Sequence, residues 1–329
     1  MSTTTDWLEA RWFGGRKPGL ALLALAALYG AIVGLRRTAY RRGWLRVHRV
    51  GVPVIVVGNI TVGGSGKTPL VIALVEYLRA QGWKPGVVSR GYGRRSHGQH
   101  VVDAQTNALD GGDEPVLIAR RCGVPVVVDV DRVAASRRVV ELGSDIVIAD
   151  DGLQHYRLHR DLEIESIDGA RRYGNTRLLP AGPLRESVAR AAACDLHVVS
   201  GGDAGAVEWL SRLVGDTLIG KNGSQPLEAL RGRRVHAVAG IGHPRRFFAS
   251  LRMQGLEPIE HAFVDHHPYS PQDLQFEEAL PIVMTEKDWV KCASFAPADS
   301  WMLPVRSVVD EGFFGEVLRR LPACAGTTR

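Results

Sequence analysis

The chain has 329 residues, 45% of them hydrophobic and 23% charged, which is the make-up of folded α/β protein and excludes a largely disordered or fibrous chain. Two domains are expected at this length. Lysine and arginine exceed the acids by 41 to 35, a formal net charge of +6, and the excess crowds one apolar segment. That suits an anionic membrane surface or a phosphorylated ligand, and no aromatic-interleaved basic stripe supports nucleic-acid binding.

Residues 19–35 (GLALLALAALYGAIVGL) carry no charge and sit at the short end of the roughly 17–25 residues that span a bilayer. Arg11, Arg16 and Lys17 precede the run; Arg36, Arg37, Arg41, Arg42 and Arg46 follow it. Arginines where a small-residue cleavage site should lie disfavour a signal peptide. A membrane anchor, either spanning or lying in the interface, is the preferred reading, with a buried core helix as the alternative. The heavier downstream arginine cluster predicts a cytoplasmic location for the rest of the chain, on the inner membrane. Residues 1–45 are therefore expected to form an anchor helix with a basic flank, 46–215 a nucleotide-binding domain and 216–329 a smaller α/β lobe.

Beyond the anchor, short β-branched runs alternate with helical periodicity, predicting a parallel sheet flanked by helices. Strands are expected at 53–57, 86–89, 125–130, 145–150, 162–167 and 196–200. A helix is expected at 68–80, with Leu70, Val71, Leu74, Val75 and Leu78 facing inward. Residues 215–234, polar and glycine-containing, read as a connection. Strands at 235–239 and 281–285 belong to the second lobe.

Between the first strand and the first of these helices stands Gly58-Asn59-Ile60-Thr61-Val62-Gly63-Gly64-Ser65-Gly66-Lys67-Thr68-Pro69, the strand–loop–helix context of a P-loop. Residues 61–68 would wrap the phosphates with backbone N–H groups, Lys67 would reach the β- and γ-phosphates, and the Thr68 hydroxyl would ligate Mg²⁺. Thr61 stands where the usual motif has its first glycine. The apolar strand ending in Asp150-Asp151 would bring a carboxylate beside that loop to hold the metal. No Asn/Thr-Lys-x-Asp base-reading motif of GTP switches occurs, and Val62 replaces the second lysine of partitioning-type ATPases. Cys122, Cys194, Cys292 and Cys324 form no CxxC pair and predict no structural metal.

More specific segments follow in order: Ser89-Arg90-Gly91-Tyr92-Gly93, Gly112-Asp113-Glu114-Pro115, Asp150-Asp151-Gly152-Leu153-Gln154-His155, Leu179-Pro180-Ala181-Gly182-Pro183-Leu184-Arg185-Glu186, Phe263-Val264-Asp265-His266-His267 and Thr285-Glu286-Lys287-Asp288. With the phosphate loop, they closely resemble the tetraacyldisaccharide 4′-kinase family of lipid A (lipopolysaccharide) biosynthesis, over nearly the whole chain. The resemblance implies a two-lobe P-loop kinase that uses ATP and Mg²⁺ to phosphorylate the 4′-hydroxyl of an acylated disaccharide 1-phosphate. No obligate protein partner is expected. Thr61 fits, because the family's loop also lacks the leading glycine. By the same resemblance Asp113 matches the catalytic aspartate and His266 the histidine paired with it. Asp151 and Glu186 join Thr68 and Asp150 as expected metal-site residues, while Arg90, Tyr92, Glu114, Arg132 and Gln154 are expected near the acceptor. Arg171 and Arg172 are either contacts for its 1-phosphate or a solvated charge pair. A membrane-attached ATPase switch acting on a protein partner is the alternative function.

Overall fold

A computed structural model describes residues 3–322, so Cys324 lies outside the described residues. Two helices open the chain, α1 (Thr3–Trp12) and α2 (Leu20–Arg41). The chain then lays down β1 (Val54–Gly58), β2 (Pro85–Ser89), β3 (His100–Val102), β4 (Val126–Val128), β5 (Ile146–Asp150), β6 (Leu162–Asp168), β7 (Leu196–Ser200) and β8 (Trp209–Val214). Their connections carry α3 (Lys67–Ala80), α4 (Ala108–Gly111), α5 (Asp113–Cys122), α6 (Arg132–Glu141) and α7 (Val188–Ala191). The chain next leaves this sheet for a second one: β9 (Thr217–Gly220), β10 (Gly223–Pro226), β11 (Arg234–Ala239), β12 (Glu257–Ala262), β13 (Ile282–Thr285) and β14 (Ser300–Leu303), with α8 (Pro244–Met253) and α9 (Glu286–Cys292). Finally it returns to the first sheet as β15 (Arg306–Val309) and ends in α10 (Phe313–Arg320).

The first sheet has the order β15-β8-β7-β6-β1-β5-β2-β4-β3. Its inner strands run parallel, and only the edge strands β3 and β15 are antiparallel. Alternation along β1 builds both core layers. Ile55 and Val57 pack with Leu70, Leu74 and Leu78 of α3, while Val54 and Val56 pack with Val133 and Val139 of α6. Because β1 is covered on both faces, it reads as an uninterrupted β-branched run. Leu74 is completely buried, and trimming it to alanine would cost about 2–5 kcal/mol.

The second sheet, in the order β10-β9-β14-β13-β11-β12, has a parallel centre and an antiparallel hairpin edge. Two expectations need correcting here. Residues 215–234 contain the β9–β10 hairpin rather than a plain connection. The second lobe also does not extend to the chain end: Arg306 pairs with Val214 and Val309 with Ser211, and Phe314 of α10 stacks on Tyr77 of α3 at 4.7 Å. Leaving β15 with the second lobe would strip the β8 edge and expose Phe313, which is fully buried.

Helix α2 is not a core helix. Leu20, Leu25, Leu28, Ile32 and Leu35 are exposed, and Ala26 is its buried residue. The opposite side docks on the first lobe: the Tyr29 hydroxyl donates to the Arg185 carbonyl at 3.0 Å, and the Tyr40 ring lies 5.9 Å from that of Tyr156.

Candidate active site

The phosphate loop leaves β1 at Gly58 and enters α3 at Lys67, so its amides collect at the amino end of a helix. Gly66 has φ +82°, and an added Cβ would stand 2.8 Å from Ser200 Oγ, leaving room only for glycine. Asn59, buried beneath the turn, ties it together. Its amide donates to Thr61 Oγ1 (3.2 Å) and the Gly63 carbonyl (3.4 Å), while its Oδ1 accepts from Lys67 (3.3 Å) and Arg185 (2.8 Å). The Ser166 hydroxyl donates to the Ser65 carbonyl at 2.7 Å.

The LPAGPLRE segment braces the loop from outside. Val62 N–H donates to the Pro183 carbonyl at 2.9 Å. Arg185 reaches the Thr61 carbonyl (3.0 Å), Asp151 (3.0 Å) and the Gln154 amide oxygen (3.3 Å). Gln154 in turn donates to the Asn59 carbonyl at 3.1 Å. Arg185 belongs to a quoted motif but not to the expected site residues. A lone arginine in a loop gives no sign of four partners on two segments.

Strand β5 lies beside β1, with Asp150 in register with Val57. Asp150 is 1% exposed, and neither carboxylate oxygen has a hydrogen-bond partner. Burial, followed by the nearby charge of Glu114, pushes its carboxyl up to about 7. Burial acts the same way on Asp151, but Lys67 at 3.6 Å and Arg185 more than offset it and bring that carboxyl down to about 2. Arg132, at the amino end of α6, is buried near this pair and donates to the Asp129 carbonyl at 2.5 Å; burial brings its guanidinium down to about 10.

The residues present fit the Mg²⁺ expected of a P-loop. An orphaned buried carboxylate is costly unless a cation or proton meets it. Among the described residues no three His, Cys, Asp or Glu side chains form a metal cluster, so phosphate and water oxygens would have to complete the shell. The folded Asp150 carboxyl, near 7, titrates well above its ordinary 3.8. The folded state therefore holds an extra proton between those values, and stability falls as pH rises through that window. Asp150→Asn is expected to raise the melting temperature of the nucleotide-free protein, more at pH 8 than at pH 5, while suppressing turnover. Thermal melts at the two pH values check this; an asparagine variant melting lower than the parent at pH 8 would overturn it.

Asp113 opens α5 immediately after Gly112 and is 5% exposed. Its Oδ1 accepts from the Glu114 N–H at 3.0 Å, and its Oδ2 meets His266 Nδ1 at 2.9 Å, across the two lobes. Lys287 and Lys291 each stand 3.8 Å from Oδ2. Burial opposes ionisation of Asp113, but the His266 hydrogen bond and the two ammonium groups hold its carboxyl below the ordinary value. Burial likewise opposes charging of His266, and the bond to Asp113 reverses this, raising the imidazole above its ordinary value.

Around the pair, the Tyr92 ring lies 5.0 Å from that of His266 and Lys287 donates to Glu114 at 3.1 Å. Arg90, Arg132, Gln154 and Glu186 line the same cavity, a space of about 1210 Å³ between the lobes that also exposes Gly63, Gly64, Lys67 and Thr68. Glu186, expected at the metal, contacts Tyr156 and Arg190. Arg171 pairs with Glu9 at 3.3 Å and Arg172 with Glu208. His267 lies 3.4 Å from Asp273, leaving His266 as the partner of Asp113.

A glycine loop between a central parallel strand and a helix is the phosphate-binding frame of a P-loop protein, and an Asp–His pair drawn from both lobes faces it across one cavity. The sequence profile described as Tetraacyldisaccharide-1-P 4′-kinase matches residues 19–322. The tetraacyldisaccharide 4′-kinase of Xanthomonas euvesicatoria is 54% identical, with 94% of each chain covered; that of Stenotrophomonas maltophilia is 52% identical, covering 94% of this chain and 95% of its own. The Aquifex aeolicus LpxK crystal structure in complex with ATP superposes with a TM-score of 0.78 at 31% identity, covering 92% of this chain and 99% of that one. The chain belongs to the tetraacyldisaccharide 4′-kinase family.

Proposed function

We propose that this protein moves the γ-phosphoryl group of ATP, with Mg²⁺, onto the 4′-hydroxyl of a tetraacylated disaccharide 1-phosphate. The observation that carries the reading is the 2.9 Å Asp113–His266 contact between lobes, with His266 lining the cavity that also exposes Lys67. The loop amides would take the triphosphate, and Lys67 would exchange Asn59 and Asp151 for phosphate oxygens. Thr68 and Asp150 would hold Mg²⁺, whose charge offsets that of the β- and γ-phosphates when bound. Asp151 would keep its pairing with Arg185 once Lys67 has turned to the phosphates. The Asp113–His266 pair would receive the hydroxyl proton as phosphorus is attacked, the buried carboxylate fixing which imidazole nitrogen faces outward. Arg90, Tyr92, Glu114, Arg132 and Gln154 border the space left for the acceptor.

Labelled ATP, Mg²⁺ and the disaccharide 1-phosphate in detergent test the reading directly. A labelled glycolipid is the expected product. ATP hydrolysis without such a product, from folded enzyme, would return the protein to the class of ATPase switches.

An acylated acceptor stays in the bilayer, since each buried CH₂ is worth roughly 0.8 kcal/mol, so the enzyme must reach the surface. Helix α2 offers an exposed apolar stripe on one side and protein contacts on the other, which favours lying in the cytoplasmic leaflet with Arg36, Arg37, Arg41 and Arg42 at the headgroups. The combined Leu25→Asp, Leu28→Asp and Ile32→Asp variant is expected to lose most co-sedimentation with anionic vesicles yet keep ATP binding. Full retention on vesicles would refute the assignment of this stripe.

A further inference from the structure

The TEKD segment has no part in the reaction just described, yet the second lobe grips the first there. Thr285 starts α9, its hydroxyl accepting from the Asp288 N–H at 3.2 Å and donating to the Asp288 carboxylate at 2.6 Å. Asp288, completely buried, accepts from Gly240 N–H at 3.0 Å and so fixes the exit of β11. Two residues later a Cβ on Gly242 would stand 2.8 Å from the Gly64 nitrogen of the phosphate loop. Glu286 accepts from Arg121 of α5 at 3.0 and 3.1 Å.

Lys287 occupies the centre of this grip. Its Nζ donates to Glu114 of the first lobe (3.1 Å) and to Asp265 of the second (3.2 Å). It also stands 3.4 Å from His266 Nε2 and 3.8 Å from Asp113 Oδ2. The imidazole is therefore bracketed, with Nδ1 on a carboxylate and Nε2 beside an ammonium. A neutral ring satisfies both contacts at once, donating from Nδ1 and accepting at Nε2. A second proton, on Nε2, would face a like charge.

We propose that Lys287 is a positioning residue for phosphoryl transfer: its ammonium, bridged to Glu114 across the lobes, aims His266 and opposes a resting proton on the imidazole Nε2. The inference rests on the kinase reading. The groups facing His266 are Asp113 from α5, Lys287 from α9, Asp265 from its own loop at 3.8 Å, and the Tyr92 ring; Glu114 acts through Lys287 and Lys291 of α9 through Asp113. Among them Lys287 opposes protonation of His266 and favours ionisation of Asp113. Removing it raises both groups, so an activity that needs the pair deprotonated loses its acid limb at higher pH.

The test compares Lys287→Met, Lys287→Arg and Glu286→Gln by the pH profile of kcat and by ¹⁵N-histidine NMR titration of the resting protein, with His266→Gln assigning the signal. Methionine is expected to move the acid limb and the His266 midpoint upward by about one pH unit, and arginine to restore most of the shift. Glu286→Gln, which loosens the grip without touching the pair, is expected to raise KM and leave the limb in place. An unmoved limb and midpoint in folded Lys287→Met overturn the proposal, as does an equal shift in Glu286→Gln. If methionine and glutamine variants fail to fold while arginine folds, Lys287 serves the fold alone and the proposal is also overturned. Failure of the kinase reading would show separately, as absence of glycolipid product from the parent enzyme while the NMR titration still reports the bracket.

Discussion

Asp113→Ala is expected to lower kcat by about 10²–10⁴-fold while leaving ATP affinity close to the parent value, on the scale for losing a positioned proton acceptor. The split follows from the geometry. The Asp113 side chain meets His266 and the two lysines, and among the described residues it makes no hydrogen bond or ion pair with the phosphate loop. Its removal strands Lys287 and Lys291 beside an imidazole that has lost its partner, so both the aim and the ionisation of His266 change. Melting curves separate this from a folding defect. Turnover within a factor of two of the parent would remove Asp113 from the reaction. His266→Ala should show a loss of similar order, and the double variant little more than either single one, because paired groups acting as a unit are not additive.

Lys67→Ala is expected to lower kcat/KM by about 10²-fold or more, the loss for one charge that meets the transferring phosphoryl group. Here ATP affinity should fall as well, since Lys67 stands at the first turn of α3 where the phosphates would rest. The nucleotide-free protein should tolerate the change unevenly. Against the burial that would raise it, Lys67 and Arg185 together bring the Asp151 carboxyl down to about 2, so alanine leaves Asp151 to Arg185 alone and places a less compensated charge beside Asp150. Equilibrium ATP binding by calorimetry and single-turnover rates distinguish the two effects. An unchanged rate with the fold intact would contradict the assignment of this lysine.

The buried strands were legible because a strand covered on both faces must be apolar throughout, and runs such as Val54–Gly58 and Ile146–Asp150 announce themselves. The phosphate loop was legible for a similar reason: positive-φ turns and a helix start demand particular residues. Edge elements were not. Arg306–Val309 is a four-residue strand with alternating exposure, and nothing local to it says that its partner lies near Val214 rather than in the sheet it has just left. The β9–β10 hairpin is likewise short, with two four-residue strands of which only Leu218 is buried, and reads as a linker. Within the site, family resemblance picked out Asp113 and His266, two residues 153 positions apart whose contact no periodicity could show. Arg185 and Lys287 stood inside quoted motifs, but a charged side chain does not reveal in sequence how many partners it will meet.

The return of the chain to its first sheet has a consequence for how the protein is made. A ribosome delivers β1 to β8 early, yet the β8 edge and the α3 face stay bare until Arg306–Val309 and Phe313–Arg320 emerge, after the whole second lobe. The long-range pairing that finishes the first sheet thus waits until the second lobe has been made, and that lobe, emerging in between, can fold as a loop-tethered unit before its host is sealed. Nascent chains stalled short of residue 306 should accordingly be protease-sensitive in the first half and protected in the second.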